Sequence, residues 1–250
     1  MHAPLAYKHV VTQVMLMEAN YCASRLHLAV KLPITEQDIR GRFISPPHRL
    51  AMFGHRPLFG GRIDLDRYSL SFSESCTLRY ITDSGHQWYA FDTDSEEMEA
   101  YCKASANRRC VLDGNGAYHM AASLLTAIDV DVERLNKDQL PGVKQMKRTI
   151  DTIPLPLFDV SWNRDFDFGN GKVFNMPVVS VFVAGDTGQL IHIKQNDDSY
   201  SRRPKELIKN VDKLLTIADA EFLKCTTEQK DSMVAEFGAV QYPSGPPTSP

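Results

Sequence analysis

The segment PVVSVFVAGDTGQLIHIKQNDDSYSRRP, residues 177–204, carries the clearest structural signal in the chain. Its residues 178–184 and 189–194 are rich in β-branched side chains and flank the sequence Gly-Asp-Thr-Gly, which predicts a β-hairpin. A type I turn with Gly188 in a left-handed bulge position keeps the apolar side chains of both strands on one side. Without the bulge, Val181 would lie opposite His192 and the apolar set would be divided between the faces, so we favour the bulged register.

The predicted hairpin has two different faces, because successive side chains of a strand point to opposite sides. We expect a dry face that consists of Val179, Val181, Val183, Ile191 and Ile193. We expect a mixed face that consists of Ser180, Phe182, Ala184, Leu190, His192 and Lys194. The mixed face is polar enough to meet solvent or a ligand.

Residues 196–204 follow the second strand and contain two acids and two arginines. Arginine binds carboxylate or phosphate in a bidentate manner, so Arg202 and Arg203 are candidates for holding an anionic ligand. The alternative, which we favour, is that they pair with Asp197 and Asp198 and fix the exit of the strand. The predicted contact surface for a ligand or partner consists of Phe182, His192, Lys194, Tyr200, Arg202 and Arg203.

The composition disfavours several classes of protein. The 250 residues are 43% hydrophobic and 24% charged, as in an ordinary globular protein. A net charge of -3, with no polybasic run, disfavours binding to DNA or RNA. Residues 10–17 are too few for a membrane span and lack the features of a signal peptide. We therefore expect a soluble protein without membrane insertion, cytoplasmic as written or exported if a leader has been removed.

Five cysteines without CxxC spacing argue against a disulfide framework and against a zinc site of four thiolates. Cys102 and Cys110 bracket a short segment and could pair in an exported protein. The alternative is that these residues are free, half-buried thiols, as is usual for isolated cysteines.

Helical periodicity of apolar residues predicts two long amphipathic helices, over residues 5–28 and 117–128, the second with room to continue to residue 135. Alternating residues predict a three-stranded meander over residues 68–91 and a further strand over residues 155–162. We expect residues 163–175 to form a flexible connection to the hairpin. Each long helix should pack across an antiparallel sheet, which is an α+β architecture.

The order of elements, a helix and then antiparallel strands, occurs twice. We expect a first half of helix and β-meander over residues 1–110, and a second half of helix, hairpin and C-terminal helices over residues 111–240. The halves show no convincing residue identity, so the repeat is one of pattern. Residues 241–250 contain four prolines and predict a disordered tail.

No complete catalytic or metal-binding motif is present. Ser73, Ser75 and Ser161 are candidate nucleophiles, but the chain has neither a GxSxG elbow nor a Gly-rich phosphate loop. His48 and His55 share a loop and are the best candidates for metal ligands, but no HExxH or HxH spacing supports them. We therefore predict no metal and no cofactor.

The sequence Asp113-Gly114-Asn115-Gly116 precedes the second long helix and has two interpretations. Free backbone amides at a helix N-terminus bind anions, which would make this segment an anion site. An aspartate N-cap followed by glycines that permit a tight entry explains the same residues, and we favour this interpretation.

A helix at residues 117–135, a strand at 158–162 and the hairpin VVSVFVAGDTGQLIHI resemble a PepSY-type module over residues 117–194. The hairpin carries the resemblance, because one strand ends at a D-x-G turn and the next begins with G-x-L. The resemblance implies a non-enzymatic α+β unit, often found in exported bacterial proteins and associated with inhibition or protein interaction. The wider chain, from Trp162 to the SRRP segment, is also similar to bacterial proteins of unassigned activity.

These observations together predict a non-catalytic binding or protein-interaction protein, whose partner is a protein or a small anionic ligand. The rival hypothesis is a hydrolase-like enzyme with a site between the two halves that uses His86, His192 and Asp159. A deep pocket with converging titratable groups would favour the enzyme. A shallow apolar and aromatic patch would favour the binding protein.

Overall fold

The computed structural model describes residues 3–45, 60–73, 76–83, 110–147, 154–167 and 173–233. These residues form one antiparallel sheet of eight strands and a set of helices, so the predicted α+β class is confirmed. The helices are α1 Ala3–Arg25, α2 Gly114–Ala127, α3 Val132–Asp138, α4 Lys205–Leu223 and α5 over residues 227–233. The strands are β1 Gly41–Ser45, β2 Gly60–Asp64, β3 Tyr68–Phe72, β4 Leu78–Asp83, β5 Pro141–Lys147, β6 Pro154–Asp167, β7 Val173–Ala184 and β8 Leu190–Gln195.

The sheet is continuous across the two predicted halves of the chain. The order of the described strands is β1-β2-β3-β4-β8-β7-β6-β5, so each half contributes four of them in sequence order from one edge inward. β4 and β8, the last strand described in each half, pair at the centre of the sheet, where Ile81 lies opposite Ile193. The junction between the halves is therefore a pair of hydrogen-bonded strands.

The long helices pack on the same side of the sheet, called here the helical face. α1 contacts β1, β2 and β4, while α2 contacts β5, β6 and β7. α4 packs on the outer side of α1, with the rings of Tyr7 and Phe222 5.5 Å apart. Because α1 lies between the sheet and α4, its buried stripe is broad, as its sequence predicts. In the described part of the chain, no helix is long and apolar enough to cross a membrane.

The predicted second helix is two helices, because the chain turns at Asp129. Asp113 caps α2, since its side chain accepts a hydrogen bond of 2.7 Å from the backbone N–H of Gly116. α2 ends at Ala127, Asp129 adopts a φ of +60°, and Asp131 caps α3 in turn. The N-cap interpretation of Asp113 is therefore confirmed, and the continuation to residue 135 forms a separate helix.

Gly188, in the turn of the β7–β8 hairpin, has the predicted left-handed conformation, but the predicted bulge in the turn is wrong. The turn is a four-residue loop, because the N–H of Ala184 donates to the carbonyl oxygen of Gln189 at 2.9 Å and Val183 pairs with Leu190. Gly188 has a φ of +71°, and its N–H donates to the carbonyl oxygen of Ala184 at 2.8 Å. A left-handed φ of this kind suits glycine because a side chain at that position would be strained. Val181 pairs with Ile193, as predicted.

The register of this hairpin is set by a bulge within β8, which also corrects the predicted faces. Phe182 pairs with His192 and Val183 pairs with Leu190, so Ile191 is an extra residue without a partner opposite. Leu190 therefore joins the main core on the helical face. Ile191 lies instead in a small apolar cluster on the other face, with Leu155, Leu157 and Ala184. The predicted faces of Ile191 and Leu190 are therefore wrong, because each side chain lies on the face that was predicted for the other.

Three short strands and two strand extensions are absent from the sequence prediction. β1, β2 and β5 contain glycine or charged residues at many positions, so their alternation is weak. The predicted flexible connection over residues 163–175 is wrong at both ends, because β6 and β7 stay paired as far as Asp167 and Val173.

Several predictions fall on residues that the structure does not describe. They concern the strand at 88–91, the tail at 241–250, and the residues His48, His55, Ser75, His86 and Cys102. Cys110 is an exposed free thiol, and Cys22, Cys76 and Cys225 are buried free thiols.

Candidate functional site

A concavity of about 650 Å³ lies on the second face of the sheet, opposite the helical face. Its walls come from strands of both halves, with β2, β3 and β4 on one side and β6, β7 and β8 on the other. The concavity is therefore centred on the junction of β4 and β8. Its lining residues are Arg62, Ser69, Ser71, Tyr80, Thr82, Asp159, Ser161, Asn163, Asn175, Pro177, Ser180, Phe182, His192 and Lys194.

Strand register arranges most of these residues in two rows that cross the sheet, because directly opposed residues on neighbouring strands share a face. The hydroxyl row consists of Arg62, Ser71, Tyr80, Lys194, Ser180 and Ser161, each paired with the next. The aspartate row consists of Asp64, Ser69, Thr82, His192, Phe182 and Asp159, paired in the same way. The rows are two residues apart along each strand, or about 6.6 Å.

His192 lies at the centre of the aspartate row. Its Nδ1 is 2.8 Å from the hydroxyl oxygen of Thr82, and its ring meets that of Phe182 edge to face at 5.7 Å. The ring of Tyr80 lies 6.1 Å away on the other side. Burial, with a smaller contribution from Lys194, lowers the pKa of His192 from 6.5 to about 4. The imidazole is therefore neutral at physiological pH, with one donor and one acceptor nitrogen.

Asp159 closes the aspartate row on β6. Burial raises the pKa of its carboxyl group from 3.8 to about 6, and Lys144, the residue paired with it on β5, partly opposes this shift. One carboxyl oxygen, Oδ1, is buried without a hydrogen-bond partner among the described residues. A buried acceptor without a donor is costly when it is charged, which favours the protonated form of this carboxyl group and agrees with its raised pKa.

The charges in the concavity are nearly balanced. Arg62 is 3.2 Å from Asp64 through Nε and Oδ1, so its charge is partly neutralised. Lys194 has no carboxylate partner in the described part of the chain; its Nζ lies 5.7 Å from the centre of the Tyr80 ring. Asp159 supplies the opposite charge on the far side of Phe182.

The structure separates the six residues of the predicted contact surface into two groups. Phe182, His192 and Lys194 line the concavity together. Tyr200 is only 3% exposed, and its hydroxyl donates to Asp138 Oδ2 at 3.1 Å, so it is a packing residue.

The two arginines are held by acids other than those predicted. Arg202 forms an ion pair with Asp131, the cap of α3. Arg203 forms a buried ion pair with Glu18 of α1 and donates to Thr77 Oγ1 at 3.1 Å. Their role as strand anchors fits the favoured interpretation, but Asp197 pairs with Arg164 instead, at 3.1 Å.

The candidate nucleophiles have ordinary positions. The hydroxyl of Ser73 is buried at the β3–β4 turn, where it accepts a hydrogen bond of 3.2 Å from the N–H of Thr77. Ser161 lines the concavity and accepts a long hydrogen bond of 3.4 Å from Asn163. Among the described residues, no group of three His, Cys, Asp or Glu side chains could hold a metal ion.

Sequence reasoning missed several residues of the concavity, above all Tyr80, Thr82 and Arg62. The alternating serines of β3 did indicate a polar face, and Ser69 and Ser71 lie on it. What the pattern could not show is that β4 pairs with β8, more than 100 residues later in the chain. That pairing brings Tyr80 and Thr82 beside Lys194 and His192.

Fold and site together define an α+β protein with a polar and aromatic concavity on the face of its sheet that is opposite the helices. Comparisons with protein-family models, with curated proteins and with solved structures found no match. The resemblance of residues 117–194 to a PepSY-type module stays a prediction.

Proposed function

We propose that the chain is a non-catalytic binding protein that holds a small ligand in the concavity of the second face. The observation that supports this proposal is the convergence of both rows at the β4–β8 junction. There the neutral imidazole of His192, the rings of Tyr80 and Phe182, and Lys194 line one depression of about 650 Å³. Among the described residues, Lys194 has no carboxylate partner. This volume lies within the usual range for small-molecule sites, about 300–1,000 Å³.

The positions of the titratable groups favour binding over catalysis. Asp159 and His192 are separated by the strand that carries Phe182, so their Cα atoms are two strand spacings apart, roughly 10 Å. No hydrogen bond links them, since His192 Nδ1 contacts Thr82 and Asp159 Oδ1 has no partner among the described residues, so Asp159 does not orient His192 as the acid of a catalytic dyad would. His192 is also a weak base at neutral pH, because its pKa is lowered to about 4.

The hydroxyl of Thr82 contacts His192 and is the nearest equivalent of a nucleophile. Both residues lie on strands that pair with neighbours on each side, so most of the surrounding backbone amides are committed to the sheet. Backbone amides are common donors to a developing oxyanion in acyl transfer, and paired strands do not offer them. The enzyme hypothesis therefore has less support than the binding hypothesis.

The proposal is tested by screening a library of small metabolites for compounds that raise the melting temperature of the full chain. A Ser161→Trp variant fills the concavity from β6, and a Ser123→Trp variant, on the exposed side of α2, is the matched control. Circular dichroism first verifies that both variants fold; Ser71→Trp on β3 replaces the first if it does not.

We expect a compound that stabilises the wild-type chain and the control by the same amount but has no effect on Ser161→Trp. Stabilisation that survives in Ser161→Trp would place binding elsewhere and overturn the proposal. A library without any stabilising compound would also overturn it. Conversion of a bound compound to product, followed by NMR, would replace binding by catalysis.

A further inference from the structure

We infer that the ligand is a neutral, polyhydroxylated ring compound of one or two sugar rings, an inference that rests on the proposed function. Eight of the fourteen residues that line the concavity carry a hydroxyl or a carboxamide group. Such groups both donate and accept hydrogen bonds, as the hydroxyl groups of a sugar do. A mainly apolar ligand would leave many of them without partners, at a cost in binding free energy.

The balance of charge argues against an anionic ligand. Arg62 is already paired with Asp64, and Arg202 and Arg203 are held by Asp131 and Glu18 outside the concavity. An anion would therefore meet Lys194 alone, with the carboxyl group of Asp159 in the same depression. A neutral ligand can use both groups, because the ammonium group donates and the carboxylate accepts.

The aromatic residues form a platform for the apolar side of a ring. Tyr80, His192 and Phe182 lie on three consecutive strands, β4, β8 and β7. A pyranose ring presents C–H groups on its faces and hydroxyl groups around its rim. C–H groups are buried favourably against aromatic side chains, which combine a large apolar surface with polar edges.

The spacing of the rows matches this chemistry. The hydroxyl row and the aspartate row are about 6.6 Å apart, which is close to the width of one six-membered ring with its substituents. A ring placed over Phe182, between His192 and Asp159, would have Ser180 of the hydroxyl row on one side and the carboxyl group of Asp159, which lines the concavity, at its end as an acceptor.

The test is a titration of the full chain, by saturation-transfer NMR and calorimetry, with a defined panel of probes. Neutral probes are glucose, galactose, mannose, xylose, myo-inositol, maltose, cellobiose and lactose. Anionic probes are glucose 6-phosphate and glucuronate. We expect at least one neutral probe to bind, and neither anionic probe to bind more tightly than it.

Two variants locate the binding of the best neutral probe. Phe182→Ala removes part of the aromatic platform and should weaken binding about tenfold. Tyr80→Phe removes one hydroxyl group and should weaken binding about fivefold. Tyr200→Phe removes a tyrosine hydroxyl that bonds to Asp138 away from the concavity, so its affinity should match that of the wild type within about twofold.

The remaining outcomes separate this inference from the proposed function. If only anionic probes bind, or if the metabolite screen finds a ligand of another class that Ser161→Trp excludes, the inference is wrong and the proposed function stands. If neutral probes bind equally well to Phe182→Ala and to Ser161→Trp, they bind elsewhere, which contradicts both. Absence of binding by every probe overturns the inference, and an empty metabolite screen then overturns the proposed function as well.

Discussion

In β7, Val179, Val181 and Val183 have no exposed surface on the helical face, whereas Ser180 and Phe182 between them line the concavity on the second face. β4 repeats the contrast, with Ile81 fully buried under the helices and Thr82 in contact with His192. One step along a strand therefore separates a residue that stabilises the fold from a residue available to a ligand. Substitutions on the helical face should lower stability, whereas those of residues that line the concavity should change stability less and mainly affect the proposed binding.

The buried residues among the helices include one ion pair, between Glu18 of α1 and Arg203. Both side chains are largely buried, and burial lowers the pKa of the arginine. Replacing Arg203 with alanine leaves the carboxylate of Glu18 in a buried site without its counter-ion. We expect Arg203→Ala to lower the free energy of unfolding by about 3–5 kcal/mol in urea denaturation.

Arg202→Ala is the matched control for this prediction, because Arg202 is the neighbouring residue and its side chain is 68% exposed. Asp131 is buried but keeps a hydrogen bond from the N–H of Arg134, and the exposed guanidinium of Arg202 is screened by solvent, so the control should be less affected. The double variant Glu18→Met with Arg203→Met should regain most of the lost stability, since apolar replacement of a buried pair is often neutral. Equal, small effects of the two single variants would show that Glu18 reaches solvent.

The second prediction compares adjacent residues of β4. Ile81→Ala opens a cavity between the sheet and the helices and should lower stability by about 2–5 kcal/mol. Thr82→Ala removes a hydroxyl group from the second face and should cost about 1 kcal/mol at most, because water can replace the contact with His192. Urea denaturation of both variants measures the difference, and a larger loss for Thr82→Ala would reverse the assignment of the faces.

Local patterns in the sequence were sufficient to predict the long helices that cover the helical face. The apolar periodicity of α1 and α2 and the capping aspartate at 113 depend on residues within a few positions of each other, and these predictions are confirmed. The left-handed conformation of Gly188 is local for the same reason. Short-range steric and hydrogen-bond preferences determine such features.

The concavity depends on information of a different kind. A single extra residue, Ile191, exchanges the faces of Ile191 and Leu190, and nothing in the alternation of β8 reveals it. The central pairing of β4 with β8 joins distant segments, so the neighbours of His192 on that side could not be predicted. The arginines at 202 and 203 had acids nearby in sequence, yet they pair with acids brought near by the fold.

The third prediction concerns pH, because burial acts on Asp159 and His192 in opposite directions. The raised pKa of Asp159, about 6, means that the folded state binds its proton more tightly, so stability falls as pH rises from about 4 to about 6. The lowered pKa of His192, about 4, means that stability rises as pH rises from about 4 to about 6.5. The two contributions, each about 2–3 kcal/mol, oppose each other in the wild-type chain.

Single variants should separate the two contributions. Relative to the wild type, the free energy of unfolding of Asp159→Asn should increase as pH rises from 4 to 6, whereas that of His192→Gln should decrease as pH rises from 4 to 6.5. Urea denaturation at half-unit intervals of pH measures both slopes, with His119→Gln on the exposed side of α2 as the control. Slopes of the same sign would mean that one of the two side chains is solvated in solution.

The last prediction tests the cap of α2, the helix that covers β5, β6 and β7. Asp113→Ala removes the acceptor for the N–H of Gly116 and should lower stability by about 1 kcal/mol. Asn115→Ala, at an exposed position in the first turn of the same helix, should be neutral or slightly stabilising, because alanine has the higher helix propensity. Repeating the thermal melts with inorganic phosphate separates the cap from an anion site. If the carboxylate of Asp113 already satisfies the amides at the start of α2, phosphate should leave the melting temperature of the wild-type chain unchanged. A rise in the melting temperature with phosphate that differs between the wild type and Asp113→Ala would restore the anion-site interpretation.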